Sequence, residues 1–285
     1  MIEAILFIIF VGVFLYALLI EPRWFRLRRI KVCTKKKIPR DFTILHLSDT
    51  HFIDNNESKR RFLMSLNSLQ PDFICVTGDI IDNNDGIEPA VEILSQMQAR
   101  IGKFAVLGNH DYWDYHIGDN LRYHLFGEKR PLHQNDIERF CRRLTASGVT
   151  VLRDEKKNVS FDGMTIRISG TEDPVTQQMN FHRTFADLNE EVFHLLLTHV
   201  LDVLVQIPKV PVDLVLAGHT HGGQVRLPFI GGFMCGFQMP RRYLEGFHEM
   251  NGYVMCVSRG MGATRTLIPR FFCRPEAILI EVTSL

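Results

Sequence analysis

The chain has 285 residues, 46% of them hydrophobic and 23% charged, which excludes disordered, collagen-like and disulfide-scaffold classes and allows one large domain or two small ones. The net charge of +1 conceals a division. Residues 1–21 carry two acids and no Lys or Arg, residues 22–40 carry nine Lys/Arg and no acid, and residues 41–285 carry 24 basic and 30 acidic side chains.

The chain opens on an apolar run, residues 4–20, which holds no charge and departs from plain hydrocarbon only at Gly12 and Tyr16. As a helix it would span roughly 26 Å, the short end of a bilayer crossing. No basic segment precedes it and no small-residue cleavage site follows, which favours an uncleaved anchor over a signal peptide. The basic collar from Arg23 to Arg40, with Trp24 and Phe25 at headgroup depth, is the kind of Lys/Arg excess that stays on the cytoplasmic side. The expected organisation is a membrane anchor over 1–21, a basic juxtamembrane linker over 22–40 and one folded body over 41–285. A buried helix of a soluble protein would show a polar stripe. Binding of the collar to nucleic acid competes poorly with attraction to anionic lipid, because the charge abuts the apolar run. The six cysteines form no Cys-x-x-Cys pair and read as small buried hydrophobes.

From residue 43 onward short apolar strands alternate with amphipathic helices. Strands are predicted over 43–48, 73–77, 104–107, 193–198, 213–217, 253–257 and 277–282, with a hairpin about Asp162-Gly163. Helices are predicted over 58–69, 88–99 and 137–146, the last opened by an Asn135-x-x-Glu138 capping box. The near-continuous apolar strands suit sheets covered on both faces, an α/β arrangement in layers. Two long stretches break the alternation: 112–136, polar and aromatic, and 227–243, rich in Gly, Pro and Phe. Loops of this length in a compact domain are usually functional.

Metal-ligating residue types recur where these strands end. The first ends in Asp49-Thr50-His51, the second in Gly78-Asp79-Ile80-Ile81-Asp82, the third in Gly108-Asn109-His110-Asp111, the fourth in His199 and the fifth in Gly218-His219-Thr220-His221. In open α/β sheets that edge is where ligands bind. Asp49, His51, Asp79, Asn109, His199, His219 and His221 are too many donors for one ion and suit two divalent cations sharing a carboxylate. Nitrogen and oxygen donors without thiolate point to Mn, Fe, Co or Zn rather than Ca or Mg. The glycines before Asp79, Asn109 and His219 are expected to permit sharp turns. His116, His124 and His133 lack the strand-end context and fall outside this set.

This ordered set of motifs resembles the calcineurin-like metallophosphoesterase superfamily over residues 43–282. The resemblance implies a four-layered α/β/β/α sandwich with a dinuclear site, here preceded by an N-terminal transmembrane helix. It further implies that Asp49, His51 and His221 bind one metal and Asn109, His199 and His219 the other, with Asp79 bridging. His110 would stand beside the site as general acid or transition-state stabiliser, oriented by Asp82, and Mn2+ is the expected metal. One departure stands out: Asn83 follows Asp82 where many members carry Arg, so a phosphate clamp from that position is missing.

The anchor, the Glu21-Pro22-Arg23-Trp24-Phe25 exit and the segments Ser258-Arg259-Gly260-Met261-Gly262 and Arg274-Pro275-Glu276 resemble a membrane-associated bacterial branch of that superfamily. The branch includes phosphodiesterases and the UDP-2,3-diacylglucosamine pyrophosphatases of lipid A synthesis. It implies a lipid-linked nucleotide substrate and a site at the bacterial inner membrane, facing the cytoplasm. Arg241, Arg242, Arg259 and Arg265 are then candidate phosphate contacts, since Arg recognises phosphate oxygens bidentately. Phe229, Phe233, Met234, Phe237 and Met239 are candidates to line an acyl-chain groove, and 112–136 is a candidate lid. Two alternatives are a phosphodiesterase for another phospholipid or nucleotide at the membrane, and a metal-bound scaffold without turnover.

Overall fold

The structure is a computed structural model that describes residues 1–53, 56–116, 118, 133–206, 210–232, 239–250, 253–262 and 269–284. Helix α1 (Ile2–Leu15) widens into a π-helical turn over Tyr16–Ile20 and closes in a 3₁₀ turn over Glu21–Arg23. Together, Ile2–Arg23 make 22 residues long and apolar enough to cross a membrane by length and composition, about 33 Å at 1.5 Å per residue. Most of the surface of α1 lies outside the core, but its inner end is tied down. Ala17 is buried and its carbonyl accepts from Arg270 N at 3.0 Å. Glu21, 1% exposed, accepts from Phe272 N at 3.1 Å and from Cys273 N. The Arg274 guanidinium sits 4.0 Å over the Trp24 ring.

The chain then enters strand β1 (Arg26–Thr34), followed by β2 (Phe42–Leu47), α2 (Glu57–Ser65), β3 (Phe73–Thr77), α3 (Ile87–Gln96) and β4 (Gly102–Val106). Next come α4 (Asn109–Tyr112), the short pair β5 (Trp113–Asp114) and β6 (His133–Gln134), α5 (Ile137–Ala146), β7 (Val149–Val151), and the hairpin β8 (Glu155–Phe161) and β9 (Met164–Gly170). The second half holds α6 (Phe181–Phe185), β10 (Phe193–Leu197), α7 (Val203–Gln206), β11 (Leu214–Ala217), β12 (Arg226–Leu227), β13 (Gly231–Gly232), β14 (Gly246–Met250), β15 (Tyr253–Val257) and β16 (Glu276–Ser284).

Two six-stranded mixed sheets result, β1-β16-β2-β3-β4-β7 and β14-β15-β11-β10-β9-β8. Their facing sides share one core in which Phe42, Phe73, Phe104 and Ile280 of the first meet Ile166, Phe193, Leu195 and Leu214 of the second. The outer face of the first sheet packs on α2, α3 and α5 through Leu63, Ile87, Leu94 and Phe140. The outer face of the second packs on α6 and α7 through Phe185, Val203 and Leu204. This is the expected α/β/β/α layering. β3 is buried at all five positions, as a strand covered on both faces should be.

Three local expectations need correction. The stretch 22–40 is not all linker: β1 is an edge strand paired in parallel with β16 from Arg26↔Glu276 to Thr34↔Ser284. Its inward alternation (Ile30, Val32, Thr34) is hidden among basic residues, and charge on an edge strand opposes pairing with another chain. α5 is capped by Asp136, whose side chain accepts from Arg139 N at 3.0 Å, rather than by Asn135. Asn135 instead donates to the carbonyl of His110 at 3.0 Å. In the 227–243 stretch, Met239 and Tyr243 are buried in the outer core, so there the loop covers the core rather than lining a groove, while Phe229 is fully exposed. Phe233, Met234 and Phe237 lie outside the described residues, as do 119–132 of the expected lid.

Candidate metal centre

β2, β3 and β4 are mutually parallel, as are β10 and β11, so their carboxyl ends share an edge in each sheet. The loops leaving them converge. Asp49, His51, Asp79 and His221 offer ligand atoms all within 4.8 Å of one another, and Asp79, His199 and His219 form a second such group. Asp79 belongs to both. His51 Nε2 lies 3.1 Å from His221 Nε2 and 3.7 Å from Asp79 Oδ2. His221 Nε2 lies 3.5 Å from Asp49 Oδ1. On the other side, His199 Nε2 lies 3.3 Å from Asp79 Oδ2 and 3.2 Å from His219 Nδ1.

Each imidazole is aimed by its second nitrogen or its surroundings. His199 Nδ1 donates to the Thr77 carbonyl at 2.8 Å, and His51 Nδ1 lies 2.9 Å from Asp82 Oδ1. A carboxylate or carbonyl can only accept, so in both rings Nδ1 carries a proton directed away from the site and Nε2 is the nitrogen turned toward it, as in metal-ligating histidines. Asp82 serves a second ring too, with His110 Nδ1 2.7 Å from the same oxygen. Five of these residues (Asp49, His51, Asp79, His219 and His221) hold positive φ, between 43° and 67°. Non-glycine residues seldom adopt such backbone, and it persists where surrounding structure over-determines it, commonly at functional sites.

The glycines do more than permit turns. A Cβ at Gly218 would sit 1.8 Å from Ser48 Oγ and 2.4 Å from Asp49 Oδ2, and one at Gly108 would sit 2.4 Å from Asp79 Oδ1. Neither residue has positive φ. They are glycine because a backbone passes directly over a carboxylate.

The residues fit a pair of cations. Asn109 Oδ1 is buried without a hydrogen-bond partner, a rare and costly state for an amide oxygen unless something else satisfies it. Burial raises the Asp49 carboxyl, with the charge of Asp79 adding to it. Burial alone would raise Asp79 too, but His199 and His110 hold it well below the usual carboxylate range. Burial opposes charge on His199, yet Asp79 and Asp49 push that imidazole up to about 10. The pocket thus calls for positive charge. His219, pushed down to about 3 by burial and by His199, and His221, lowered by burial, are neutral donors at physiological pH. His110 is raised: burial opposes its charge, but Asp79 and the Asp82 contact outweigh it.

Other expected contacts do not join this cluster. The Arg259 guanidinium is held by both oxygens of Glu245, with Nη2 2.8 Å from Oε1. Arg241 and Arg242 are exposed, Arg242 lying 4.7 Å over the Tyr243 ring. Arg265 lies outside the described residues. His116 and His133, outside the ligand set, lie with ring centroids 4.4 Å apart and planes tilted by 53°.

Sequence reading missed the residues that brace the site. Asp111 is fully buried and accepts from Ile80 N at 2.8 Å, Ile81 N at 2.9 Å and Gly108 N at 2.8 Å. It ties the turn carrying Asp79 to the turn carrying Asn109, and its place in Gly-Asn-His-Asp was the available signal. A buried chain runs from His46 Nε2 to Thr77 Oγ1 (2.8 Å), on to Ser48 Oγ (2.9 Å) and to Asp49 Oδ2 (2.5 Å). Arg270, fully buried, donates to the carbonyls of Cys273 (3.0 Å), Arg259 (3.0 Å) and Gly262 (2.5 Å), and lies 3.1 Å from His221 Nδ1. Nothing in the sequence marks it.

A family model described as calcineurin-like phosphoesterase matches residues 42–223. The metallophosphoesterase YkuE of Bacillus subtilis (strain 168) is 31% identical over 249 residues, covering 85% of this chain and 79% of that protein. The phosphodiesterase YaeI of Escherichia coli (strain K12) is 27% identical, covering 92% and 90%. The UDP-2,3-diacylglucosamine pyrophosphatase LpxG of Chlamydia trachomatis serovar D is 26% identical, again covering 92% and 90%. Clustered histidines and aspartates at the strand ends and a family match over most of the body lead to one conclusion: the chain belongs to the calcineurin-like phosphoesterase family and is a metal-dependent phosphoester hydrolase.

Proposed function

We propose that the protein is a membrane-anchored hydrolase of a lipid-linked phosphoester, cleaving the pyrophosphate bond of UDP-2,3-diacylglucosamine to give 2,3-diacylglucosamine 1-phosphate and UMP. The observation that carries the hydrolase is the pair of ligand groups sharing Asp79, with His110 and Asp82 beside them. Asp49, His51 and His221 would hold one divalent cation, Asn109, His199 and His219 the other, and Asp79 would bridge. The nitrogen and oxygen donor set suits Mn2+. When bound, such cations neutralise phosphate oxygens and acidify the water between them. The chain's own part is positioning and proton transfer. Asp82 Oδ1 accepts from His51 Nδ1 and lies 2.7 Å from His110 Nδ1, which leaves His110 Nε2 to give its proton to the departing oxygen; the charges of Asp79 and Asp82, outweighing burial, raise its pKa and favour the proton-bearing form.

The substrate rests on two supports, the similarity to LpxG and the apolar N-terminal helix. A soluble nucleotide calls for no anchor, whereas a diacylated sugar nucleotide must be met at the bilayer surface. With α1 in a bacterial inner membrane and the basic collar on anionic headgroups, the body would face the cytoplasm. The similarity to YaeI favours a second reading, phosphodiesterase action on another membrane phosphoester.

Two assays on the full chain in detergent with Mn2+ test these readings. Hydrolysis of bis-p-nitrophenyl phosphate, abolished by EDTA and in Asp79→Ala together with both bound metals, is expected; a metal-loaded protein without turnover would leave the scaffold. UMP release should be much faster from UDP-2,3-diacylglucosamine than from its deacylated form, and equal rates would refute lipid recognition.

A further inference from the structure

Beside the metal centre, and reaching its residue His51, lies a cleft of about 160 Å³ lined in part by the inner end of the anchor. Leu18, Pro22, Arg23 and Phe25 line it from the anchor and its exit, and His51, Lys59 and Met261 line it from the body. The wall is held firmly, because the buried Glu21 carboxylate accepts from Phe272 N and Cys273 N, and Arg270 N donates to Ala17 O. Arg270 also lies 3.1 Å from the Nδ1 of His221, so one short segment, 270–273, fastens both the anchor and a residue of the metal cluster.

The cleft is two-faced in its chemistry. Leu18, Phe25 and Met261 offer hydrocarbon, while Arg23, exposed and unpaired with any carboxylate among the described residues, offers positive charge. The Arg23 Nη1 bonds the Leu19 carbonyl at 2.6 Å, which leaves its other N–H groups for an anion. The rest of α1 is apolar and exposed. The cleft thus sets hydrocarbon and positive charge between the anchor and His51.

We propose that the inner end of the anchor is part of the substrate site. Arg23 would meet the charge flanking the scissile phosphoester, and Leu18 and Phe25 would hold the start of its hydrocarbon chain, so that the anchor selects hydrocarbon-bearing phosphoesters as well as tethering the enzyme. This rests on the hydrolase reading above and extends it from the metal cluster to the helix.

The test uses two p-nitrophenyl phosphodiesters that share the bond to be broken and differ only in the second alcohol, methyl or hexadecyl. The full chain is assayed with Mn2+ in mixed micelles at one fixed detergent concentration. Wild type is expected to favour the hexadecyl ester at least tenfold in kcat/KM. Leu18→Trp, which fills the cleft, and Arg23→Gln, which removes the charge on the anchor side, should each lower kcat/KM for the hexadecyl ester at least tenfold more than for the methyl ester, through KM. Val205→Ser, at an exposed position on α7, serves as the control that leaves the ratio unchanged. Equal losses on both esters, or no loss on either, would overturn the proposal, since a merely structural wall cannot distinguish tails. Failure of wild type to hydrolyse even the methyl ester would overturn the hydrolase reading itself, and this proposal with it.

Discussion

Replacing Asp111 with alanine isolates what joins the two halves of the metal centre. The carboxylate accepts from three buried backbone N–H groups, those of Ile80, Ile81 and Gly108. Removing it orphans all three, at about 1–3 kcal/mol each. Part of that cost is offset, because burial and the nearby charge of Asp79 already disfavour the Asp111 carboxylate, pushing its pKa up to about 7. The net loss should be about 3–5 kcal/mol. At roughly 2–4 °C per kcal/mol for a domain of this size, Tm should fall by roughly 6–20 °C. Asp111→Asn keeps one acceptor oxygen but turns an NH2 toward whichever amide the other oxygen served, so its loss should be smaller, about 1–3 kcal/mol. The same amides set the turns that carry Asp79 and Asn109, so Mn2+ affinity should fall in the same order. Differential scanning fluorimetry with and without Mn2+, together with metal titration, reads both effects. An alanine variant melting within about 2 °C of wild type would refute the bracing role.

His110→Ala should keep its bound metal, measured by elemental analysis, while turnover falls by about 10²–10⁴-fold; loss of metal along with activity would make His110 a ligand instead. Gly218→Ala should abolish metal binding, because its Cβ would lie 1.8 Å from Ser48 Oγ and 2.4 Å from Asp49 Oδ2; a variant with wild-type metal content would remove the close-approach explanation. Burial pushes His46 down to about 3 and His194 down to about 4 in the folded chain, against an unfolded value of about 6.5. Below that value the unfolded chain takes up protons that the folded chain refuses, so stability falls with pH by about 1.4 kcal/mol per unit for each histidine and is unaffected above it. The decline in stability from about pH 6.5 toward pH 5 should therefore be shallower in His194→Gln than in wild type, by about 1.4 kcal/mol per unit; equal slopes in the two proteins would contradict it.

The sequence by itself determined the chemistry of the centre and its order along the chain. The continuous apolar runs of β2, β3, β10 and β11 mark buried strands, and Asp-x-His, Gly-Asp-x-x-Asp, Gly-Asn-His-Asp and Gly-His-x-His follow directly where those runs stop. Side-chain chemistry and hydrophobic period are local properties, and both can be read from a single chain. Tertiary structure decided which groups meet. Parallel pairing brings loops far apart in the chain to one edge, where His221 stands 3.1 Å from His51 across 170 positions. The same long-range packing makes β1 an edge strand through a partner 250 residues away and assigns Arg259 to Glu245. It also sets Arg270 against His221 and closes the N-terminal helix onto the body through Glu21. None of these has a local signature, because a buried ion pair or a close backbone approach depends on non-local neighbours. Gly108 and Gly218 mark that boundary clearly. Their residue type is plain in the sequence, but the reason for it, a carboxylate lying under the backbone, exists only once the sheets have folded together.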